Sequence, residues 1–496
     1  MTAAPDCVLA IDIGTQSTRA ALVTDDGTVA DSAASPVELS VPRPGWAEQD
    51  PMQWWQTTLA NIRAVLARNP SVTVRAVGTG AQMHSTVPVD AAGEPLVASV
   101  GLWSDKRPVA QVAAFARRGD ADQLIAAAGN VPLPAWAGFK IAWFRDELPG
   151  VYERARAFVV AKDFVNLRLC GELATDPSEA SGTFLADAAT GEWSPALASA
   201  LGVDPALLPP IAGSGQVIGG VLATVSEDTG LPAGTPVVAG GGDMLCQLLA
   251  AGVTRPGRFA EVAGTASIVA CYAAAAHPDP RVMSLRTVSG GWANFGIGDA
   301  AGSCMRWLAE RFGSSGSYRQ LDAEAAAVPP SADGLLFFPY MLGERTLGSA
   351  GSRGSFIGLT LEHGRGHLAR AVMEGICFEN RRALDLLAAD GGAVGAPLRC
   401  TGGGARSDLW NQIRADIYER QVSALAAGEG GIAGAAMLAG VGAGWYDNAC
   451  SAAEILTRPG RHWQPRAEAS ARYRETYAAF RSVHDALDPI WARWPS

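Results

Sequence analysis

The chain has 496 residues, 48% of them hydrophobic, and a formal net charge of −10. That length exceeds a single hydrophobic core and predicts two or more domains. The acidic balance argues against a nucleic-acid partner or an anionic membrane surface, and no apolar run reaches the ~18 residues that a membrane span requires. The first residues, Met1-Thr-Ala-Ala-Pro-Asp6, lack a basic stretch followed by an apolar one, so the expected compartment is the cytoplasm.

Chain order gives a mixed α/β reading. Strands near 7–13 and 18–23 and a third near 28–39 form a meander. Asp50-Pro51 opens a helix with Trp55, Leu59, Ile62 and Leu66 at helical spacing. Residues 73–78 read as a returning strand that ends at Gly80-Ala-Gln-Met-His84, and a hairpin follows around Asp90-Ala-Ala-Gly93. The Gly/Pro-rich passage 207–236 marks the best boundary region; it leads into the buried strand Val237-Val238-Ala239 and then Gly240-Gly241-Gly242-Asp243. Helices are expected near 367–388 and 407–420, and an amphipathic one near 468–486.

The cysteines stand singly with no C-x-x-C pair and read as reduced core residues. His363 and His367 are separated by Gly364 and Gly366 and read as structural. Lysine is confined to Lys106, Lys140 and Lys162, all in the first half.

Four constellations carry chemistry. Gly14-Thr15-Gln16-Ser17 recurs as Gly264-Thr265-Ala266-Ser267, each between two strand-like runs and half a chain apart. This predicts a duplicated domain with one phosphate-cradling turn per lobe, glycine allowing close backbone approach and the hydroxyls adding donors. Asp12, just before the first turn, would repel phosphate unless Mg²⁺ lay between them, and Arg19 adds positive charge nearby. Asp243, at a strand end and helix start, fits a general base taking a proton from a sugar hydroxyl, and its competing reading is a plain helix cap. Thr401-Gly402-Gly403-Gly404-Ala405-Arg406-Ser407-Asp408 opens a helix as a nucleotide site can, with neither Rossmann nor P-loop spacing. Gly428-Glu-Gly-Gly431 and Gly434-Ala-Ala436 add a second glycine-rich turn and a helix suited to line a purine pocket.

Together these motifs resemble the FGGY carbohydrate kinases, a branch of the actin and hexokinase superfamily, along nearly the whole chain. The resemblance implies an α/β protein of two actin/hexokinase-like (ribonuclease H-like) domains with a cleft between them. Residues 1–245 would bind sugar and carry the first phosphate motif, and residues 246–496 the second phosphate and adenosine motifs. Asp12-x-Gly-Thr resembles the first phosphate motif, Glu261-Val-Ala-Gly-Thr265 the second, and Gly402-Gly-Gly-Ala405 the adenosine motif. Gly241-Gly-Gly-Asp243 falls on the family's catalytic aspartate, and the stretch from Gly354 to Glu374 on its carboxy-proximal signature.

Xylulokinase-like features are Gly45-Trp-Ala-Glu-Gln-Asp-Pro51, Gln82-Met-His84, Trp103-x-Asp105, Lys162-Asp163 and Gly343-Glu-Arg-Thr346. Departures are Ser85 for Gly, Lys106 for a small residue and Leu347 for Pro. The resemblance implies an ATP-dependent kinase acting on a ketopentose, D-xylulose foremost. Asp243 is then the catalytic base; Met83, His84, Trp103, Asp105 and Asp243 contact sugar; Asp12 and Asp243 serve Mg²⁺. ATP falls to Gly14, Thr15, Gln16, Ser17, Arg19, Gly264, Thr265, Gly402, Gly403, Gly404, Ala405 and Ser407. A homodimer is left open. The alternatives are a sister kinase for ribulose, another ketose, a polyol or glycerol, and a non-catalytic actin-like regulator, against which an intact Asp243 speaks.

Overall fold

The computed structural model describes residues 6–312, 318–344, 347, 351–389, 396–425 and 430–494. Arg345 and Thr346, and Gly428 and Glu429, expected above as parts of motifs, lie outside these residues. The chain divides into two compact α/β units: Met1–Thr254 with Ser284–Trp292 and Gly428–Thr457, and Arg255–Met283 with Ala293–Ala427 and Arg458–Ser496.

In the first unit the meander is Asp6–Ile13, Ser17–Val23 and Val29–Pro36, antiparallel throughout. The third strand stops at Pro36, short of the expected 39. Beyond the meander the sheet turns parallel: Asp6–Ile13 pairs with Thr73–Ala81, which pairs with Pro236–Val238 and Gly241–Gly242. Three neighbouring strands therefore finish at one edge. The second unit repeats the order. Phe259–Ala263 and Ser267–Ala273 form the hairpin, and Phe259–Ala263, Leu398–Thr401 and Val422–Leu425 run parallel.

The strand Asp6–Ile13 is apolar at consecutive positions because both of its faces are covered, as parallel sheets require. Leu9, Ile11 and Ile13 pack with Trp54, Ile62 and Val65 of the helix Pro51–Arg68, and Val8 and Ala10 pack with Ile432, Ala435 and Ala439 of the helix Gly430–Gly442. Asp50 caps the former helix by accepting from Met52 N at 2.8 Å. Its buried stripe centres on Trp54, Trp55, Ile62 and Val65, leaving Leu59 and Leu66 half-buried, one step round from the spacing expected above.

The helix Gly430–Gly442 is distant in sequence from the strands it covers, yet belongs to the first unit. Passage 207–236 also lies inside this unit, where it builds the strand Val217–Gly220 and the helix Ala223–Thr229. The expected later helices are observed at Arg365–Ala389, Asp408–Tyr418 and Ala467–Trp491. All eight cysteines are free, seven of them buried. No helix of the described residues is long and apolar enough to cross a membrane.

Close approach of the helix Gly430–Gly442 depends on missing side chains. A Cβ on Gly434 would stand 2.2 Å from the Cys246 carbonyl oxygen of the helix Asp243–Ala250. Gly434→Ala must therefore wedge two helices apart, at a cost of about 1–3 kcal/mol. Urea unfolding followed by tryptophan fluorescence checks this: a lowered midpoint is expected, and an unchanged one would show slack in that contact.

Candidate active site

The parallel strands of the first unit deliver their last residues to one edge, where α/β sheets place ligands. Asp12 lies on the same face of its strand as Val8 and Ala10, and so meets the start of the helix Gly430–Gly442. A Cβ on Gly431 would be 2.8 Å from Asp12 Oδ1. The amide end of a helix favours a carboxylate there. Arg19 stands directly opposite Asp12 across the hairpin.

The first turn is closed by Gly14 N donating to Ser17 O at 3.0 Å, and Gln16 is exposed at its tip. Its shape is held from behind. Thr15 Oγ1 donates to Gln82 Oε1 (3.1 Å), and Gln49 Nε2 donates to Thr15 O (2.8 Å). Gln82 Nε2 and Trp54 Nε1 both donate to Gln49 Oε1, at 2.6 and 3.0 Å. Trp103 Nε1 also donates to Thr15 Oγ1, at 3.3 Å, which brings Trp103, expected on the sugar side, to the phosphate turn.

Gln82, Met83 and His84 follow the end of the strand Thr73–Ala81. Met83 is buried and packs on Gly242, where a Cβ would be 2.6 Å from its sulfur. This puts Met83 beside the residue preceding Asp243. His84 holds a left-handed backbone (φ 68°), rare for a side-chain-bearing residue and a form of strain that surroundings must enforce. Lys140 supplies that restraint: its Nζ donates to His84 O (2.7 Å) and Ala135 O (2.8 Å). Burial pushes the Lys140 ammonium down to about 7. The His84 ring meets Gly182 O through Nδ1 at 3.0 Å and packs edge-on to Trp136.

Asp243 starts the helix Asp243–Ala250, half-buried, with Oδ1 accepting from Met244 N at 2.7 Å. Burial first, and then the Asp12 carboxylate, push its carboxyl up to about 7, although the Met244 amide pulls the other way. The two acids expected to serve a metal thus feel each other. Asp105 is placed differently. It is 1% exposed, and both oxygens are engaged by Ala47 N and by the backbone and guanidinium of Arg107, at 2.7–2.9 Å. Arg107 in turn stacks on Trp46.

In the second unit the hairpin turn is closed by Gly264 N donating to Ala266 O at 2.9 Å. The start of the helix Ala301–Phe312 secures it, Gly302 N and Ser303 N donating to Gly264 O and Thr265 O at 3.2 Å. Gly402 follows the neighbouring strand with φ 87°, where any side chain would be strained, and a Cβ there would meet Ala263 O at 2.6 Å. Ser407 is occupied as a cap, accepting from Trp410 N at 3.1 Å, and Ala405 O accepts from Asn411 at 2.7 Å. Gly264, Thr265, Gly403, Gly404 and Ser407 line one cavity of about 860 Å³, bordered by Arg306 and Asp322. That is room for a nucleotide.

Sequence reasoning missed the groups that brace these turns. Gln49 was seen only as part of a motif, and two of its three partners, Thr15 and Gln82, lie far along the chain. Arg414 and Glu261 form a fully buried pair (2.8 Å) behind the second turn, where Arg414 also donates to Gly404 O at 3.1 Å. Asp176 was missed although Asp176-Pro177 repeats the cap signal of Asp50-Pro51. It accepts from Ser178 and Ser214 hydroxyls, both at 2.7 Å, and pairs with buried Lys162 at 3.2 Å.

The family description FGGY family of carbohydrate kinases, N-terminal domain, matches residues 7–250, and its C-terminal counterpart matches residues 259–443. Xylulose kinase of Bacillus subtilis is 30% identical over 487 residues, 96% of each chain. Gluconokinase of Bacillus licheniformis is 27% identical, covering 97% of this chain and 96% of its own. The crystal structure of xylulose kinase from Rhodospirillum rubrum has a TM-score of 0.90 at 33% identity, over 98% of this chain and 100% of its own. Sequence and fold agree: two sheet-containing α/β units match the actin-like two-domain kinase fold, and the chain belongs to the FGGY family of carbohydrate kinases.

Proposed function

We propose that this kinase transfers the γ-phosphoryl group of ATP to a ketopentose, D-xylulose foremost, giving D-xylulose 5-phosphate. The observation that carries the reading is Asp243: a carboxyl raised to about 7, directly after the Gly242 on which Met83 packs, at the sheet edge where His84 follows the neighbouring strand. A base is most effective when its pKa lies near the working pH. Asp243 takes the proton of the O5 hydroxyl as that oxygen attacks the γ-phosphorus; the bond to the bridging oxygen breaks and ADP leaves. Met83 packs on the sugar carbons, and His84, locked by Lys140, meets a hydroxyl. The nucleotide lies in the cavity lined by Gly403 and Gly404, and Gly14-Thr15 and Gly264-Thr265 receive phosphates. Such transfer asks mainly for positioning and charge neutralisation. Sugar and ATP are the partners, and the cytoplasm, where ATP is supplied, is the compartment.

Among the described residues no group of three or more His, Cys, Asp or Glu side chains forms a metal cage. Mg²⁺ does not require one, since it is held by one or two carboxylates with waters and substrate phosphate. The mutually repelling pair Asp12 and Asp243 fits that donor set. Held there, Mg²⁺ would neutralise phosphate charge.

A coupled ADP-release assay over D-xylulose, D-ribulose, gluconate, xylitol and glycerol tests the substrate, with gluconate included because a gluconokinase relative covers nearly the whole chain. D-xylulose is expected to give the highest kcat/KM, and a better acceptor would displace it. Asp243→Asn, which keeps the oxygen that caps Met244, should lower kcat by ~10²–10⁴-fold with sugar affinity nearly intact. Retention of half the activity would remove Asp243 as base. Asp12→Ala should raise the Mg²⁺ needed for half-maximal rate by roughly 10–100-fold at fixed ATP, with sugar binding unaffected. The same Mg²⁺ curve as wild type would reduce Asp12 to a turn residue.

A further inference from the structure

The short helix Pro177–Ser181 touches both halves of the sugar side. At one end the Ser178 hydroxyl accepts from Gly242 N at 3.0 Å, directly before Asp243, and donates to Asp176. At the other end Gly182 O meets the His84 ring at 3.0 Å. Glu179 lies between these contacts. It is 1% exposed, yet among the described residues neither of its carboxyl oxygens has a hydrogen-bond partner.

The two buried lysines that act on it, Lys162 and Lys140, are committed elsewhere. Lys162 pairs with Asp163 and Asp176, and Lys140 donates to the carbonyls of His84 and Ala135. Burial, reinforced by Asp176, Asp163 and Asp243, pushes the Glu179 carboxyl well above the usual carboxylate range, while Lys162 opposes. That shift favours the protonated form, which can donate one hydrogen bond and accept others. A buried polar group without a partner is a cost that native proteins rarely carry without a reason. Ser178 beside it holds Gly242, next to the base, and Gly182, just after the helix, meets the histidine, so the reason is local to that site.

We propose that Glu179 is a sugar-binding residue, its carboxyl waiting for hydroxyls of a polyhydroxy acceptor and so orienting that acceptor between His84 and Asp243. The inference rests on the sugar-kinase reading and adds a specificity-determining residue to it.

The test compares Glu179→Met, similar in length and without hydrogen-bonding oxygens, with Glu179→Gln, which keeps a donor and an acceptor. Calorimetry without nucleotide gives the affinities for D-xylulose, gluconate and xylitol; ADP affinity and thermal unfolding are measured alongside. Glu179→Met should weaken the best-bound sugar at least about tenfold, as expected for loss of a hydrogen bond to a buried acid. ADP affinity should not change, and the unfolding temperature should not fall, because an unsatisfied group has been removed. Glu179→Gln should stay within about threefold of wild type, since it can still make those bonds. Sugar affinity unchanged in Glu179→Met would overturn the inference and leave the kinase reading intact. So would joint loss of sugar affinity, ADP affinity and thermal stability, the mark of a purely structural role. Wild type binding a sugar but phosphorylating none would sink the kinase reading alone, and wild type binding none would sink both.

Discussion

Everything functional in the first unit depends on three adjacent parallel strands ending at one edge. Asp6–Ile13 delivers Asp12 and the Gly14-Thr15 turn, Thr73–Ala81 delivers Met83 and His84, and Gly241–Gly242 delivers Asp243. Parallel pairing carries this because it aligns carboxyl ends, whereas an antiparallel neighbour would send one of the three groups to the opposite edge. The second unit uses the same device, with Gly264-Thr265 and the glycine run 402–404 following neighbouring parallel strands. A turn repeated half a chain apart in the sequence is thus the trace of a repeated sheet order.

Such an edge is made of glycine-rich backbone, which by itself is loose. In both units buried polar groups stiffen it from behind: Gln49 and Gln82 behind the first turn, Asp176 and Ser178 behind Gly242, Glu261 and Arg414 behind Gly404. Buried ion pairs contribute little net stability but specify position, and removing one partner is costly. Lys162–Asp176 and Glu261–Arg414 are best understood as holding backbone amides in place. The fold tolerates a strained His84 and an unsatisfied Glu179 against this rigid frame.

The hairpin turns, the Asp50-Pro51 helix start, the glycine run and the strand-end aspartates were legible because each is a local pattern with a local cause. Three features were not. Asp105 lies in a recognisable motif, but only the fold shows its oxygens taken up by Arg107 and Ala47. The return of residues 430–457 to the first unit is a tertiary event; the apolar, glycine-rich segment signals a buried helix and says nothing of which sheet it covers. Glu179 is one acid on a five-residue helix, and its isolation comes from neighbours scattered between Lys140 and Asp243.

The central claim is that the carboxyl edge of the first unit's sheet holds the acceptor and that of the second holds the nucleotide. Backbone hydrogen exchange read by mass spectrometry, with saturating D-xylulose or saturating ADP, tests it most directly. The account predicts that sugar slows exchange in segments 80–85, 177–182 and 240–246, and that ADP slows it in 264–267 and 402–410. Sugar protection confined to other segments, or ADP protection that leaves 402–410 untouched, would contradict it.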